Sequence, residues 1–151
     1  MIRNILPADL TAAKTVIDSS GLFPSELLDD MIAPYFDGNP AEQRWIGYED
    51  GDELLGLAFH APEEMTDGTH NLYLIAVQKA AQGKGIGTTL MTDVEDHLRR
   101  SGQRILIVET SGLDGFELTR KFYDKLGYSE EARIREFYAA CEDKVVFWKM
   151  L

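Results

Sequence analysis

The residues best suited to chemistry lie in one short segment, 82–88, which contains Gly83, Gly85 and Gly87. Glycine allows tight turns and lets a ligand approach backbone N–H groups that no Cβ shields. The segment lies between a strongly apolar run and an amphipathic run. Its N–H groups would therefore begin a helix, where they are unpaired and carry the positive end of the helix dipole. The pattern indicates an anion site, most naturally for phosphate or pyrophosphate, with a tight turn that binds nothing as the alternative.

Two common phosphate-binding motifs do not fit this segment. A Walker loop needs Gly-x-x-x-x-Gly-Lys-Ser/Thr, but Lys84 precedes Gly85 and no lysine stands directly before Thr88. A dinucleotide-binding fingerprint needs Gly-x-Gly-x-x-Gly, and the sixth position counted from Gly85 is Leu90. Neither kind of nucleotide site is predicted.

The elements that must position this segment follow from hydrophobic periodicity. The runs at 69–78 and 104–110 have continuously apolar centres, which is typical of buried central strands. The order of elements predicts an α/β (α+β) fold with a mixed sheet, formed by a single domain over 1–151. Helices are predicted at 7–20, 24–36 (interrupted or ended by Pro34), 86–100 and 116–126, strands also at 43–49, 53–60, 132–138 and 144–150, and a loop at 37–40.

The glycine segment resembles the acyl-coenzyme A motif of the GNAT superfamily of N-acetyltransferases, Gln/Arg-x-x-Gly-x-Gly/Ala. Gln82, Gly85 and Gly87 occupy its three defined positions. The preceding residues 74–77 are similar to the family's leading strand, and 122–128 (Phe-Tyr-Asp-Lys-Leu-Gly-Tyr) are similar to a second family segment. The resemblance extends over residues 43–151, including the terminal hairpin, and matches residues 1–36 only in having two helices.

The resemblance implies that acetyl-CoA is the co-substrate and that no metal is required. The two central strands would splay apart, and backbone N–H groups of the glycine segment would bind the pyrophosphate. The backbone of Val77 would bind the pantetheine arm, and that of Ile75 would lie near the acetyl carbonyl. The residues implied to bind the cofactor are Ile75, Ala76, Val77, Gln82, Gly83, Lys84, Gly85, Ile86, Gly87 and Thr88.

Tyr123 matches the family tyrosine that protonates the departing CoA thiolate, although a packed aromatic side chain is the alternative. Many family members carry an asparagine seven residues before this tyrosine, where this chain has Phe116. Thr110, Ser111 or a backbone group would then take the cofactor contact of that asparagine.

A general base must remove a proton from the amine before or during its attack. Glu109 is the first candidate because it lies near the end of the second central strand. The alternative for Glu109 is an ion pair with Arg104 or Lys121. His70 and Tyr73 are further candidates for the base.

Composition excludes several classes of protein. The chain has 151 residues, of which 44% are hydrophobic and 27% charged, as is ordinary for one globular domain. No apolar run approaches the roughly 18–20 residues of a membrane span, and no secretion signal is recognised. Because Cys141 is the single cysteine, no internal disulfide is possible, and a cytoplasmic location is expected.

The net charge of −11 is unevenly distributed. Residues 1–70 hold three basic and fourteen acidic residues, whereas residues 71–151 are balanced. An acidic chain argues against nucleic-acid binding, which needs a basic face. The acidic half favours a cationic amine as partner, the alternative being an acidic surface that serves solubility.

The N-terminal half is expected to supply the acceptor pocket, although at least half of its aromatic residues are expected in the core instead. His60 and His97 show no partner spacing that suggests metal ligation. The pocket candidates are Phe23, Tyr35, Phe36, Trp45, Glu26, Asp29 and Asp30.

Together these features predict an enzyme that transfers an acetyl group from acetyl-CoA to a primary amine by direct attack in a ternary complex. The acceptor would be a small molecule or a peptide, and polyamine, aminoglycoside, amino acid and protein amine all stay open. One alternative is an acyl-CoA-binding or sensing domain with little or no turnover. Another is nucleotide binding, which the net charge disfavours. A homodimer formed through the terminal hairpin is also left open.

Overall fold

The computed structural model describes residues 1–38 and 42–151. Within them the strands form one mixed sheet in the spatial order first, second, third, fourth, fifth, seventh, sixth. The strands are β1 (Ile2–Asn4), β2 (Arg44–Asp50), β3 (Glu53–Pro62), β4 (Thr69–Val77), β5 (Ile105–Ser111), β6 (Ser129–Ala139) and β7 (Glu142–Met150). The α-helices are α1 (Leu10–Ser20), α2 (Leu28–Phe36), α3 (Ile86–Arg100) and α4 (Glu117–Lys125).

Helices cover both faces of the sheet, so the predicted mixed α/β class is confirmed. On one face, Val16 of α1 and Leu28 of α2 pack into a core that contains the fully buried Trp45 of β2. On the other face, Leu90 and Val94 of α3 pack into a second core. Each helix therefore buries one apolar stripe against the sheet.

Several element boundaries differ from the prediction. The sequence did not predict β1, which is three residues long and pairs with β2 at the sheet edge. The first two helices begin later because Pro7–Asp9 and Ser25–Leu27 form short 3₁₀ turns. Pro34 does not end α2, since it lies in the last turn, where its missing N–H removes a single hydrogen bond. Of the predicted loop at 37–40, residues 39 and 40 lie outside the described residues.

None of the helices within residues 1–38 and 42–151 has both the length and the apolar composition needed to span a membrane.

The two central strands separate halfway along their length, as the resemblance implied. β4 and β5 are parallel neighbours only from the pair Thr69–Ile105 to the pair Leu72–Val108. On β4, Tyr73 is an extra residue, because consecutive residues of β3 pair with Leu74 and Leu72. Such a bulge bends its strand, and it lies at the point where the pairing with β5 ends. A gap therefore opens between the carboxyl-terminal halves of β4 and β5.

The terminal hairpin leaves β6 at the edge of the sheet, where all its residues are exposed. Its partner β7 pairs with β5 and places Lys144 and Val145 in the interior. Pairing of two copies through this hairpin stays a prediction.

The three histidines of the chain lie together at the opposite end of β4 from the gap, a proximity that their sequence positions did not predict. The Nδ1 atoms of His60 and His70 are 3.3 Å apart, and the ring centroids of His60 and His97 are 6.0 Å apart. Burial, with smaller effects from His70, Arg44 and His97, lowers the pKa of His60 to about 3. Burial also lowers the pKa values of His70 and His97. The cluster is therefore neutral at pH 7.

We expect acid to destabilise the fold through His60. Its pKa of about 3 lies below the ordinary 6.5, so the unfolded chain binds a proton more readily than the folded one. The contribution of His60 to the free energy of unfolding is fully present above pH 6.5 and is lost as the pH falls towards 3. Between pH 8 and pH 5 the free energy of unfolding should fall by about 2 kcal/mol from this side chain alone.

Thermal unfolding of the protein and of His60→Phe, each at pH 8 and pH 5, measures this contribution. The midpoint should fall less with acid in the variant, whatever its absolute stability. An equal fall in both proteins would contradict the assignment, and His60→Gln repeats the comparison with a smaller side chain.

Candidate active site

Two cavities meet at Tyr123, which belongs to the lining of both. The first, the loop cavity, has a volume of about 570 Å³ and is lined by the glycine segment, the end of β4 and α4. The second, the strand-end cavity, has a volume of about 520 Å³ and lies where β4 and β5 separate. Leu22, Ile75, Thr119 and Tyr123 line both. A molecule that extends through the gap would therefore pass Tyr123.

The glycine segment leaves open backbone at the start of α3. Gly83 and Gly85 have φ angles of 76° and 84°, in the left-handed region that other residues rarely adopt. Apart from each glycine and its two chain neighbours, no described residue has an atom within 4 Å of the position that a Cβ would take there. Among the residues that the structure describes, no side chain caps the first N–H groups of α3, and its first turn contains no acidic residue. This end of α3 is therefore free to bind an anion.

Gln82 and Gly87 hold this segment in place. The Gln82 Nε2 donates a 3.2 Å hydrogen bond to the carbonyl of Val77, which ties the segment to the end of β4. A Cβ on Gly87 would lie 3.2 Å from Cζ of Phe122. Gly87 thus allows α3 to approach α4 closely, a packing role that differs from the open positions of Gly83 and Gly85.

Eight of the ten predicted cofactor residues line the loop cavity: Ile75, Val77, Gln82, Gly83, Gly85, Ile86, Gly87 and Thr88. Ala76 points to the opposite face, where it is buried in the core beside α1. Lys84 is exposed and is not among the lining residues. The side chains of Ile75, Ala76 and Val77 alternate across the sheet, which explains why the side chain of the middle residue does not line the cavity.

Tyr123 is buried in an aromatic cluster and also borders both cavities. Its ring centroid lies 5.3 Å from that of Phe122, 5.8 Å from that of Tyr128 and 5.4 Å from that of Phe147. Burial raises the pKa of its hydroxyl well above the ordinary value. The packed ring fixes the position of a phenol that keeps its proton at neutral pH.

Glu109 lies on β5 beyond the last pair with β4 and lines the strand-end cavity. Its Oε2 lies 2.7 Å from Nζ of Lys144 on β7. The same ammonium lies 3.9 Å from the centre of the Phe137 ring. The two ion-pair partners considered for Glu109 were wrong, since Arg104 donates to the carbonyl of Asp67 and Lys121 pairs with Glu117. Lys144 therefore fixes the carboxylate at the cavity wall.

The two further candidates for the base lie in different places. His70 belongs to the histidine cluster and borders neither cavity. Tyr73 lines the strand-end cavity, and its hydroxyl donates a 3.3 Å hydrogen bond to Oε1 of Glu63. Burial and the nearby Glu63 raise the pKa of Tyr73 to about 12. Of these two, only Tyr73 lies near the gap.

Phe116 contributes an apolar wall to the strand-end cavity at the position where family members carry asparagine. Thr110 and Ser111 line the same cavity. The Ser111 Oγ accepts a 3.1 Å hydrogen bond from the N–H of Leu113 and so orders the turn before α4.

Most of the residues expected to form the acceptor pocket lie elsewhere. Trp45 is fully buried and stacks on Phe59 at 4.1 Å, and Asp29 pairs with Lys14 at 2.6 Å. Tyr35, Phe36, Glu26 and Asp30 are also absent from the lining of the strand-end cavity. Phe23 is the one candidate that lines it. Residues that the sequence did not single out complete the wall, among them Leu22, Leu27, Met31, Tyr138 and Glu142.

The comparisons with known proteins agree with this arrangement. The Acetyltransferase (GNAT) family matches residues 9–128 of the chain. A solved structure from Desulfovibrio desulfuricans, assigned to the GNAT family of acetyltransferases, is 30% identical with a TM-score of 0.93, over 99% of this chain and 98% of that one. An aminoglycoside 6'-N-acetyltransferase, complexed with coenzyme A, shares the fold at 18% identity and a TM-score of 0.76, over 99% and 96% of the two chains.

A curated relative, an uncharacterised N-acetyltransferase of Methanocaldococcus jannaschii, is 28% identical over 85 residues. The aligned part is 54% of this chain and 52% of that protein, so the match spans about half the length of each. The family match covers most of the chain and includes both the glycine segment and Tyr123. The chain therefore belongs to the GNAT family of acetyltransferases.

Proposed function

We propose that this protein transfers an acetyl group from acetyl-CoA to a primary amine by direct attack within a ternary complex. The observation that carries this proposal is the meeting of two cavities at Tyr123, in the gap between β4 and β5. Acyl transfer needs the amine of the acceptor to reach the carbonyl carbon of the bound thioester, so the donor and the acceptor must meet at one point. The two cavities offer that access without movement of the sheet.

The loop cavity is the proposed site of acetyl-CoA. Its pyrophosphate would bind the N–H groups of residues 83–88, at the positive end of α3. The open Cβ positions of Gly83 and Gly85 fit a bulky anion that must approach the backbone. Ile75 and Val77 would line the pantetheine arm, and their unpaired strand edge would supply hydrogen bonds. The thioester would then lie beside Tyr123.

Tyr123 is the proposed acid. As the amine nitrogen bonds to the carbonyl carbon and the C–S bond breaks, the departing thiolate takes the phenolic proton. The raised pKa of the buried Tyr123 keeps that proton available at neutral pH. A thiol is already a good leaving group, so the effect on rate is modest.

Glu109 is the proposed base, acting directly or through one water. Its carboxylate lines the strand-end cavity, where the acceptor would enter. The bond to Lys144 fixes the orientation of the carboxylate and leaves its second oxygen to receive the proton of the amine.

An acyl-CoA-binding or sensing domain with little turnover is the second candidate. Phe116 favours it, because this residue offers no polar group where family members have asparagine. Formation of an acetylated product with release of free thiol would exclude it.

A negative charge on the glycine segment should abolish cofactor binding. Gly85→Glu places a carboxylate where the pyrophosphate would bind, and we expect loss of acetyl-CoA binding by at least about 100-fold in calorimetric titration. Gly102→Glu is the matched control, since Gly102 also has a left-handed φ of 74° and open space around it. It follows the other end of α3, whose fifteen residues span about 22 Å at 1.5 Å per residue.

Both variants should lose about 1–2 kcal/mol of stability from the left-handed backbone, and only Gly85→Glu should lose acetyl-CoA binding. Equal acetyl-CoA affinity in the two variants would refute the anion site.

Removing the hydroxyl of Tyr123 should slow turnover without weakening cofactor binding. For Tyr123→Phe we expect kcat to fall about 10- to 300-fold, because the thiolate then leaves without an acid. Tyr128→Phe is the control: Tyr128 belongs to the same aromatic cluster, but its hydroxyl donates a 2.9 Å hydrogen bond to the buried Glu95. That variant should lose stability and keep its turnover. Unchanged kcat in Tyr123→Phe would remove the residue from the chemistry.

Glu109→Gln should lower kcat/KM about 10- to 100-fold at pH 7, where the amine is protonated and needs a base. The deficit should shrink towards pH 10, as the free amine becomes abundant. Glu117→Gln, which breaks an exposed 2.9 Å pair with Lys121 outside both cavities, should match the wild type at each pH. A deficit that stays constant with pH would mean that Glu109 has only a structural role.

A further inference from the structure

We propose that the acceptor is a monoamine whose nitrogen is carried by an aromatic or branched aliphatic group. The inference rests on the acetyl-transfer function proposed above and concerns the substrate class of the same site. It follows from four properties of the strand-end cavity: its apolar walls, the exposure of its lining side chains, its charge and its size.

The walls of the strand-end cavity are largely apolar. Leu22, Phe23, Leu27 and Met31, which lie between the end of α1 and the middle of α2, form one side. Phe116, before α4, and Tyr138, on β6, belong to the same lining. A substrate that fills the space between these side chains gains free energy by removing apolar surface from water.

Several of these side chains are unusually exposed for apolar residues. Leu22 is 38% exposed, Leu27 is 53%, Tyr73 is 48% and Tyr138 is 45%, and all four line this one cavity. Single exposed leucines are ordinary, but apolar side chains gathered around one concave surface mark a binding site. An apolar ligand would cover them, whereas a highly hydrated ligand would leave them in contact with its water.

The charge of the cavity fits a single cation. Glu109 and Glu142 are the charged residues in its lining, and no lysine or arginine of the described chain lines it. Lys144 offsets the charge of Glu109 at a distance of 2.7 Å. Within residues 1–38 and 42–151 no cation then pairs with the other carboxylate of the lining, that of Glu142, which matches one ammonium rather than several. The acids Glu26, Asp29 and Asp30 lie outside this lining and do not add to it.

The size of the cavity limits the part of the acceptor that its walls can cover. Its volume of about 520 Å³ must hold the acceptor and the acetyl end of the cofactor together. An arylalkylamine is small enough to be enclosed. A polyhydroxylated aminosugar would bring hydroxyl and ammonium groups against leucine and phenylalanine, where they lose water without gaining partners.

The first test measures acetylation of six amines by the whole protein with saturating acetyl-CoA. They are phenethylamine, ethanolamine, 4-(aminomethyl)phenethylamine, spermidine, kanamycin and a peptide with an N-terminal alanine. Phenethylamine should have the highest kcat/KM. Ethanolamine, which lacks the apolar group, and 4-(aminomethyl)phenethylamine, which carries a second cation at its apolar end, should each be at least about tenfold poorer. Spermidine should be poorer still.

The second test asks whether one substitution changes which amine the protein prefers. Leu27→Glu adds a carboxylate to the apolar wall, so kcat/KM for phenethylamine should fall at least about tenfold, while that for 4-(aminomethyl)phenethylamine rises. Leu6→Glu is the matched control, because Leu6 is 55% exposed and lines neither cavity. Calorimetric titration of both variants with acetyl-CoA should give the wild-type affinity, which separates a changed preference from a disturbed fold.

The outcomes distinguish this inference from the function on which it rests. If acetyl-CoA is not bound, or if none of the amines is acetylated, the acetyl-transfer function fails and the inference fails with it. If amines are acetylated but spermidine, kanamycin or a peptide with an N-terminal alanine is preferred to phenethylamine, the function stands and the inference is overturned. An unchanged order of preference in Leu27→Glu would likewise overturn it.

Discussion

The short pairing between β4 and β5 is the constraint on which the candidate site depends. Parallel pairing ends at Leu72 and Val108, yet both strands continue for several residues. Half of the N–H and C=O groups of the remaining part of β4 point away from β3 and have no neighbouring strand. Backbone groups of this kind need partners, from water or from a ligand. A cofactor that carries amide groups along its length can take the place of the missing strand.

Packed elements, rather than loops, keep this gap open. The bulge at Tyr73 lies where the pairing of β4 with β5 ends, and a bulge bends its strand. Gln82 ties the glycine segment to Val77, and Gly87 lets α3 lie against Phe122 of α4. On the far side, every residue of β5 pairs with β7, and this pairing places Lys144 beside Glu109. The proposed acid and base are therefore both held by well-packed parts of the molecule, which suits groups that must keep a fixed position relative to one carbonyl.

What the sequence could predict depends on how local the signal is. The glycine segment and α3 were predictable because turn, helix start and amphipathic face all lie within twenty consecutive residues. The partner of Glu109 was not, since Lys144 reaches it only through the register of β5 with β7, thirty-five positions later. His60, His70 and His97 meet for the same reason, through the pairing of β3 with β4 and the packing of α3. A three-residue strand such as β1 leaves no periodic pattern at all.

The charge of the chain and the lining of the strand-end cavity act at different ranges. The excess of acidic residues in 1–70 creates a field that attracts any cation, and salt reduces it within about 8 Å at physiological ionic strength. That field can raise the rate of encounter for many amines, but it does not distinguish one amine from another. To distinguish one amine from another, the protein must touch it. The side chains that line the strand-end cavity are mostly apolar, and Glu142 is the carboxylate there that Lys144 does not offset. The acidic surface would therefore determine how fast amines arrive, and Leu22, Leu27 and Tyr138 would determine which of them stays long enough to be acetylated.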